Sequence, residues 1–232
     1  MQASFVKDLF LAGCLILATA GAGKAATLPS VEVAQLSGTA ALSGTVSPGG
    51  AGARVTLFYE GKERAAAAVA PGGKYEFTAL PAGNYTLQAE ANGYAADRVE
   101  VRLPENQKAT QNLRLLFVSS IDGVDWNRGT IRAKGKGLFP PNATNRTVMR
   151  QLAKRAALAE AEKNLLKIIA QLKAGPALDL KTSMTVASFT LRIQGFIHGH
   201  KIVGERELDD GVEVELELPL TGPSGLTRHL VD

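Results

Sequence analysis

The sequence contains one cysteine, one tryptophan and three histidines among 232 residues. Because Cys14 is expected to be removed with the leader described below, the mature chain would have no thiol for catalysis, disulfide formation or metal ligation. A zinc peptidase needs a histidine and a glutamate at close spacing and a further, distant ligand. None of His198, His200 and His229 precedes a glutamate at that spacing, so the sequence predicts neither a metal nor any other cofactor.

Long apolar runs are also missing, except near the N-terminus. Residues 9–21 are mostly apolar, follow Lys7 and lead into the small residues GAGKAAT, which is the layout of a secretory signal peptide. The sequence therefore predicts a signal peptide over residues 1–26 and an exported protein of the periplasm or outer membrane, with no transmembrane helix after its removal. Cleavage is expected after one of three alanines, Ala22, Ala25 or Ala26.

Cys14 leaves an alternative open, because it ends the tetrapeptide LAGC, which resembles the lipobox of a bacterial lipoprotein. The apolar run continues past Cys14 to Leu17, whereas a lipobox normally follows such a run. We therefore expect ordinary cleavage, with a lipid anchor at Cys14 as the alternative.

Residues 36–117 contain short strand-like segments at the regular spacing that is typical of a β-sandwich. In RVTLFYE, alternation places Val55, Leu57 and Tyr59 on one face, which predicts the core side of a strand. Glycine and proline clusters such as SPGGAG and LPAGN separate the segments and favour tight turns. The predicted strands are 42–46, 54–60, 64–69, 74–78, 84–89, 98–103 and 110–115.

The segment GKYEFTALPAGNYTLQAEANGY, together with SGTV, ARVTLF and NLRL, resembles the carboxypeptidase regulatory-like domain. The resemblance implies a transthyretin-like, Greek-key β-sandwich. It also implies that Tyr85 and Leu87 serve packing and not recognition. No peptidase activity follows, because the metal-binding residues of a zinc carboxypeptidase are missing from the chain.

Residues 119–222 predict a second domain of a different class. The segment 145–173 has no glycine or proline and is rich in alanine, leucine and lysine, so it predicts a long helix with Asn145 as its N-cap. Its expected apolar stripe is Leu158, Ala161, Leu165, Ile168, Ile169 and Leu172.

Four segments around this helix predict an antiparallel sheet. They are GTIRAKGKG (129–137) before the helix, and SFTLRIQGFIHG (188–199), HKIVGERELD (200–209) and GVEVELELPL (211–220) after it. Together they predict an α+β domain in which one long helix packs on the sheet. Residues 223–232 are expected to form a tail.

IRAKGKG, RAALAEAEKNLLKII, IQGFIHGHKIVGER and LDDGVEVELELPL resemble, in that order, the LPP-type small bacterial lipoproteins. The same family fold forms the N-terminal domain of the flagellar assembly protein FlgT. The resemblance implies a cell-envelope location and a binding or assembly role without catalysis.

The charges suggest an interaction surface in this second domain. Glu213, Glu215 and Glu217 alternate with apolar residues and should line the open face of the sheet, while Lys154 and Arg155 lie on the predicted helix. We expect these acids and bases on opposite outer surfaces, where they would favour a protein partner or self-association. The alternative is that the basic segment 128–173 pairs with the acidic segment 205–217 inside one fold. Nucleic acid is not expected as a partner, because the basic segment lacks interleaved aromatic residues.

These features predict a non-enzymatic, exported cell-envelope protein that acts as a binding or structural assembly module. The alternative is an accessory protein that holds a glycan or peptide on the sandwich, where Tyr94 and Phe58 are the candidate aromatic contacts. His198 and His200 are expected either to end a strand as ordinary residues or, if a third ligand joins them, to hold a metal. Trp126 is expected to pack where the domains join, with a ligand contact as the alternative.

Overall fold

The computed structural model describes residues 32–33, 38–48, 52–142, 145–175 and 179–230. The predicted signal peptide, its cleavage sites and Cys14 lie outside the described residues. The strands are β1 Glu32–Val33, β2 Ala40–Ser47, β3 Arg54–Tyr59, β4 Lys62–Ala68, β5 Lys74–Leu80, β6 Gly83–Glu90, β7 Asp97–Leu103, β8 Lys108–Thr110, β9 Leu113–Arg114, β10 Val124–Asp125, β11 Thr130–Leu138, β12 Lys201–Leu208 and β13 Gly211–Pro219. The helices are α1 Arg146–Ile169, α2 Leu180–Ser183, α3 Ala187–Ile197 and a 3₁₀ helix, Leu226–His229.

Strands β1 to β9 form two sheets that pack face to face like a sandwich. One sheet has the antiparallel order β1-β4-β3-β6-β7, and the other has the order β5-β2-β8, with β9 also paired to β2. The predicted core side of β3 is confirmed for Val55 and Leu57, which are fully buried, while Tyr59 is half-buried. Tyr85 and Leu87 are also fully buried, in agreement with a packing role.

Strands β10 to β13 form a third sheet, in the antiparallel order β10-β11-β13-β12, and α1 packs across it. The predicted helix is confirmed, and the side chain of Asn145 accepts hydrogen bonds from the backbone N–H groups of Thr147 and Val148 as its N-cap. The predicted apolar stripe needs a correction, because Leu158 and Ile168 are only half-buried. The stripe that faces the sheet is Ala153, Ala157, Ala161, Leu165 and Ile169.

The segment 188–199 is a helix, so the predicted strand there is wrong. Helix α3 buries Phe189, Ile193, Phe196 and Ile197 against the third sheet's core. Their spacing of four, three and one residues fits one side of a helix, whereas a strand would need every second residue on the same face. The β-branched and aromatic residues of the segment favoured a strand by propensity, and burial of this apolar stripe outweighs that preference.

The buried residues form two hydrophobic clusters, one between the two sandwich sheets and one between α1, α3 and the third sheet. Leu115 belongs to the first cluster, and its neighbour Leu116 belongs to the second. The division into domains at 36–117 and 119–222 stays a prediction. The structure describes residues 223–230 of the segment expected to form a tail. Three of these residues, Leu226, Thr227 and Leu230, are buried.

Candidate functional site

The outer surface of the β5-β2-β8 sheet carries a concave polar region, which we call the hydroxyl face. Cross-strand register places Ser43 between Glu76 and Thr110, and places Thr45 beside Lys74. The region surrounds a cavity of about 610 Å³, bounded on one side by Ala67 and Ala68 at the end of β4. The polar side chains of the hydroxyl face are Ser43, Thr45, Lys74, Glu76, Thr78, Thr110 and Asn112.

Hydrogen bonds fix one edge of the hydroxyl face. Asn112 Oδ1 accepts from the backbone N–H of Thr45 at 3.1 Å and from its hydroxyl at 3.0 Å. Beneath it, the Tyr75 hydroxyl donates to the carbonyl oxygen of Gln111, and burial raises the pKa of Tyr75 far above its ordinary value. The exposed side chains Thr78 and Thr110 show no hydrogen-bond partner within the part of the chain that the structure describes. Their hydroxyls can therefore donate to or accept from a ligand.

The outer surface of the opposite sandwich sheet, β1-β4-β3-β6-β7, differs from the hydroxyl face, because its long side chains contact one another. Arg54 lies 3.7 Å from Glu63, and the Arg98 guanidinium donates to Gln88 at 2.7 Å. Arg98 also lies over the ring of Phe58, 5.3 Å from its centroid. Part of this surface is therefore occupied by contacts between its own side chains.

The two predicted aromatic contacts, Phe58 and Tyr94, do not form an open platform. Both are half-buried, and Arg98 covers the Phe58 ring. The ring of Tyr94 packs edge-to-face on Phe117 with centroids 5.6 Å apart. A glycan that needs a free flat ring would find neither side chain available.

The predicted acidic face of the third sheet is paired with bases. Glu217 lies 2.6 Å from Arg132, and Glu213 lies 3.6 Å from Lys134 and 3.2 Å from Arg206. Strand β13 sits between β11 and β12, so its outward acids stand directly opposite outward bases. The binding of a partner by this surface stays a prediction.

The helix bases Lys154 and Arg146 pair with acids of β12, the strand next to β13. Lys154 lies 2.8 Å from Glu205, and Arg146 lies 2.8 Å from Glu207. Glu205 and Glu207 are register partners of Val214 and Val212 and so point to the helix side of the sheet. The pKa of Glu205 is lowered first by the Lys154 hydrogen bond, and that of Glu207 by the hydrogen bond from Arg146. The other helix base of the predicted face, Arg155, is exposed.

His198 and His200 do not lie on one strand. His198 caps the end of α3, His200 precedes β12, and their Nδ1 atoms lie 3.5 and 3.4 Å from Oε1 of Glu162 on α1. The Nδ1 atom of His200 is also 3.0 Å from the carbonyl oxygen of Ile197. No group of three histidine, cysteine or acidic side chains placed to hold a metal is found among the described residues.

Trp126 lies against the second hydrophobic cluster, and its indole N–H donates to the carbonyl oxygen of Ser119 at 2.7 Å. Its half-buried ring and satisfied N–H fit the expected packing role.

Asp97 is a buried acid that sequence reasoning missed. It lies at the start of β7 with no exposed surface, and the cation that faces it is Arg228. Its Oδ1 accepts from the backbone N–H of Gly222 at 2.9 Å and from the Thr227 hydroxyl at 3.2 Å. A signal was present, because Asp97 shares strand parity with the core residue Val99. A charge at a core position is a reason to look for a buried partner.

Among the described residues, no helix has the length and apolar character that crossing a bilayer requires.

Comparisons with known proteins found a family match and a similar solved structure. The family model of the carboxypeptidase regulatory-like domain matches residues 41–116. No curated protein sequence matches the chain. One similar solved structure, a candidate carbohydrate-binding protein from Bacteroides uniformis, is 16% identical with a TM-score of 0.29, and the match covers 44% of this chain and 60% of that one. The family match supports a carboxypeptidase regulatory-like domain at residues 41–116, as the resemblance of GKYEFTALPAGNYTLQAEANGY implied.

Proposed function

We propose that the protein is an exported, non-catalytic binding protein of the cell envelope that holds a ligand on the hydroxyl face. The observation that carries the proposal is a ligand-sized concavity, about 610 Å³, edged by exposed Thr78 and Thr110 hydroxyls without partners among the described residues. On the outer surface of the third sheet, in contrast, Glu213 and Glu217 form ion pairs with bases of the neighbouring strands.

The non-catalytic part of the proposal rests on two clusters of side chains among the described residues, one around Asp97 and one around Glu162. Around Asp97, the Thr227 hydroxyl could serve as a nucleophile, but both side chains are fully buried and out of reach of a substrate. Around Glu162, His198 and His200 supply bases without a neighbouring nucleophile among the groups that contact them. Nucleophilic catalysis needs a nucleophile and a base within hydrogen-bond reach of each other, with the base oriented by a third group.

The export part of the proposal rests on the N-terminal sequence. Lys7, the apolar residues 9–21 and the small residues that follow have the order of a signal peptide. Lipidation at Cys14 remains the alternative. The resemblance of residues 119–222 to LPP-type lipoproteins also stays a prediction, and the binding proposal does not depend on it.

The chemistry of the hydroxyl face fits a neutral, hydrogen-bonding ligand. Hydroxyl groups can both donate and accept, Lys74 and Glu76 add one charge of each sign, and Ala67 and Ala68 provide a small apolar wall. Glycan hydroxyls and peptide amides present the same donors and acceptors. We therefore propose a glycan or peptide as the ligand class.

Peptidoglycan is a suitable test ligand, because it contains both glycan strands and peptides. We expect the purified native protein to sediment with insoluble peptidoglycan. The double variant Thr78→Arg, Thr110→Arg should weaken retention roughly tenfold or more, because each arginine places bulk and a desolvated charge in the cavity. Digestion of the glycan strands or of the peptides before the assay would show which chemistry is bound.

The matched control is Thr86→Arg, which places the same side chain on the opposite sheet, where Thr86 faces outward beside Phe58 and Glu100. Its retention should equal that of the unmodified protein. Equal retention of the double variant would show that the hydroxyl face is not the binding surface, and no retention of the unmodified protein would refute peptidoglycan as the ligand.

A further inference from the structure

The C-terminal residues 222–230 lie between the two parts of the fold and contact both. On one side, Leu226 and Leu230 are buried in the second hydrophobic cluster, and the ring of His229 lies 4.9 Å from that of Phe196 on α3. On the other side, Gly222, Thr227 and Arg228 contact Asp97 on the sandwich strand β7. The segment therefore has one anchor in each part.

The shape of this segment is fixed by its glycines. Gly222 has φ +89°, a conformation that side chains with a Cβ rarely adopt. A Cβ on Gly225 would lie 2.6 Å from the carbonyl oxygen of Thr221. The Thr227 N–H donates a hydrogen bond to the carbonyl oxygen of Leu220 at 3.1 Å. Backbone contacts within the segment therefore fix the turn that places the side chains of Thr227 and Arg228 at Asp97.

The surroundings of Asp97 require groups that residues 222–230 supply. A fully buried carboxylate needs a cation and hydrogen-bond donors, and Arg228, the Thr227 hydroxyl and the Gly222 N–H supply them. Arg228 also donates to the Thr227 hydroxyl at 3.3 Å, which holds the two side chains in a fixed relation. Loss of Arg228 alone would leave an uncompensated buried charge.

We infer that residues 222–230 act as a clasp, and that the buried pair of Asp97 and Arg228 is the contact that closes it on the sandwich. The clasp joins the sandwich to the helix-covered sheet. Because the segment is anchored in both parts, opening the contact at Asp97 frees the sandwich end while Leu226 and Leu230 stay buried. The inference is independent of the ligand on the hydroxyl face.

The test compares charge variants in the full, native protein. Arg228→Gln should lower the melting temperature by roughly 6 °C or more, since a broken buried ion pair costs several kcal/mol in a domain of this size. Hydrogen exchange at the Gly222 amide should become roughly tenfold faster or more, because its acceptor Asp97 no longer holds the segment. Arg228→Lys keeps the charge, so its melting temperature and its exchange rate at Gly222 should lie between those of the unmodified protein and those of Arg228→Gln. It also provides a folded variant if Arg228→Gln fails to fold.

The matched control is Arg132→Gln, which breaks the partly exposed ion pair with Glu217 within the third sheet. It should shift the melting temperature by no more than about 4 °C, and leave exchange at Gly222 unchanged. The double variant Asp97→Asn, Arg228→Gln removes both charges and should recover part of the loss. The inference is overturned if Arg228→Gln behaves like the control, or if the double variant is as unstable as the sum of its single changes.

Discussion

A Cβ atom on Gly137 would lie 1.9 Å from the carbonyl oxygen of Ala153, so β11 and α1 meet backbone to backbone at this point. One turn further along the helix, a Cβ on Gly135 would lie 2.2 Å from the carbonyl oxygen of Ala157. The helix side of the contact consists of fully buried alanines. The smallest residues of the third sheet and of its helix therefore set their closest approach.

Gly137→Ala should destabilise the protein, because the added methyl group overlaps the helix backbone and neither element can move without opening the core. Overpacking of this kind costs roughly 1 to 3 kcal/mol, or more where the backbone itself is in the way. Urea unfolding of the variant measures the loss. An unchanged free energy of unfolding would show that the helix can shift outward freely.

Gly195→Ala is the matched control and should have the opposite sign. Gly195 lies inside α3, and a Cβ there would meet no atom within 4 Å among the described surroundings. Alanine is more stable than glycine in a helix by roughly 0.5 to 1 kcal/mol, so the free energy of unfolding should rise by about that amount. A loss of stability at this position would mean that something covers the α3 surface in solution.

Asn145→Ala should remove the cap of α1 and cost about 1 kcal/mol, because two backbone N–H groups lose their acceptor. Asn142→Ala is the control, since Asn142 is exposed in the preceding turn and outside the helix. Thermal unfolding followed by circular dichroism compares the two variants. Equal melting temperatures would contradict the capping role.

The ion pairs between α1 and β12 should make stability fall in acid. The pKa values of Glu205 and Glu207 are lowered in the folded state, so their contribution is complete above the ordinary glutamate pKa and is lost as pH falls through the lowered one. Urea midpoints at pH 7, 4 and 3 measure this loss. Glu205→Gln should flatten the decline, whereas Glu100→Gln, at an exposed site on β7, should leave its slope unchanged. Parallel declines for all three proteins would contradict the assignment.

Much of the fold follows from local sequence patterns. Alternation along RVTLFYE and GVEVELELPL predicts strands β3 and β13, and their core faces follow from a side-chain period of two. Asn145 and the absence of glycine and proline over the next residues predict α1. These features depend on neighbours in the chain, so the sequence is sufficient to find them.

The segment 188–199 shows where local patterns mislead. Its β-branched and aromatic residues favour a strand, but Phe189, Ile193 and Phe196 form a buried helical stripe. Propensity differs by a fraction of a kcal/mol per residue, whereas burial of each large side chain contributes roughly 1.5 to 3 kcal/mol. The packing partner, which the sequence does not show, decides the outcome.

The hydroxyl face and the clasp could not be located from the sequence alone. Ser43 and Thr110 become neighbours through parallel pairing of β2 with β8, and Asp97 meets Arg228 across more than a hundred residues. The partners of the charged residues could not be predicted either, because the sequence shows that Glu205 and Glu213 are acids but not which bases face them. By itself the sequence determined strands such as β3 and β13, the long helix and the resemblance that the family match at residues 41–116 supports, since these depend on periodicity and local turns. Only the tertiary structure decided which polar groups stay free and which are paired, because cross-strand register and helix placement bring distant residues within hydrogen-bonding range.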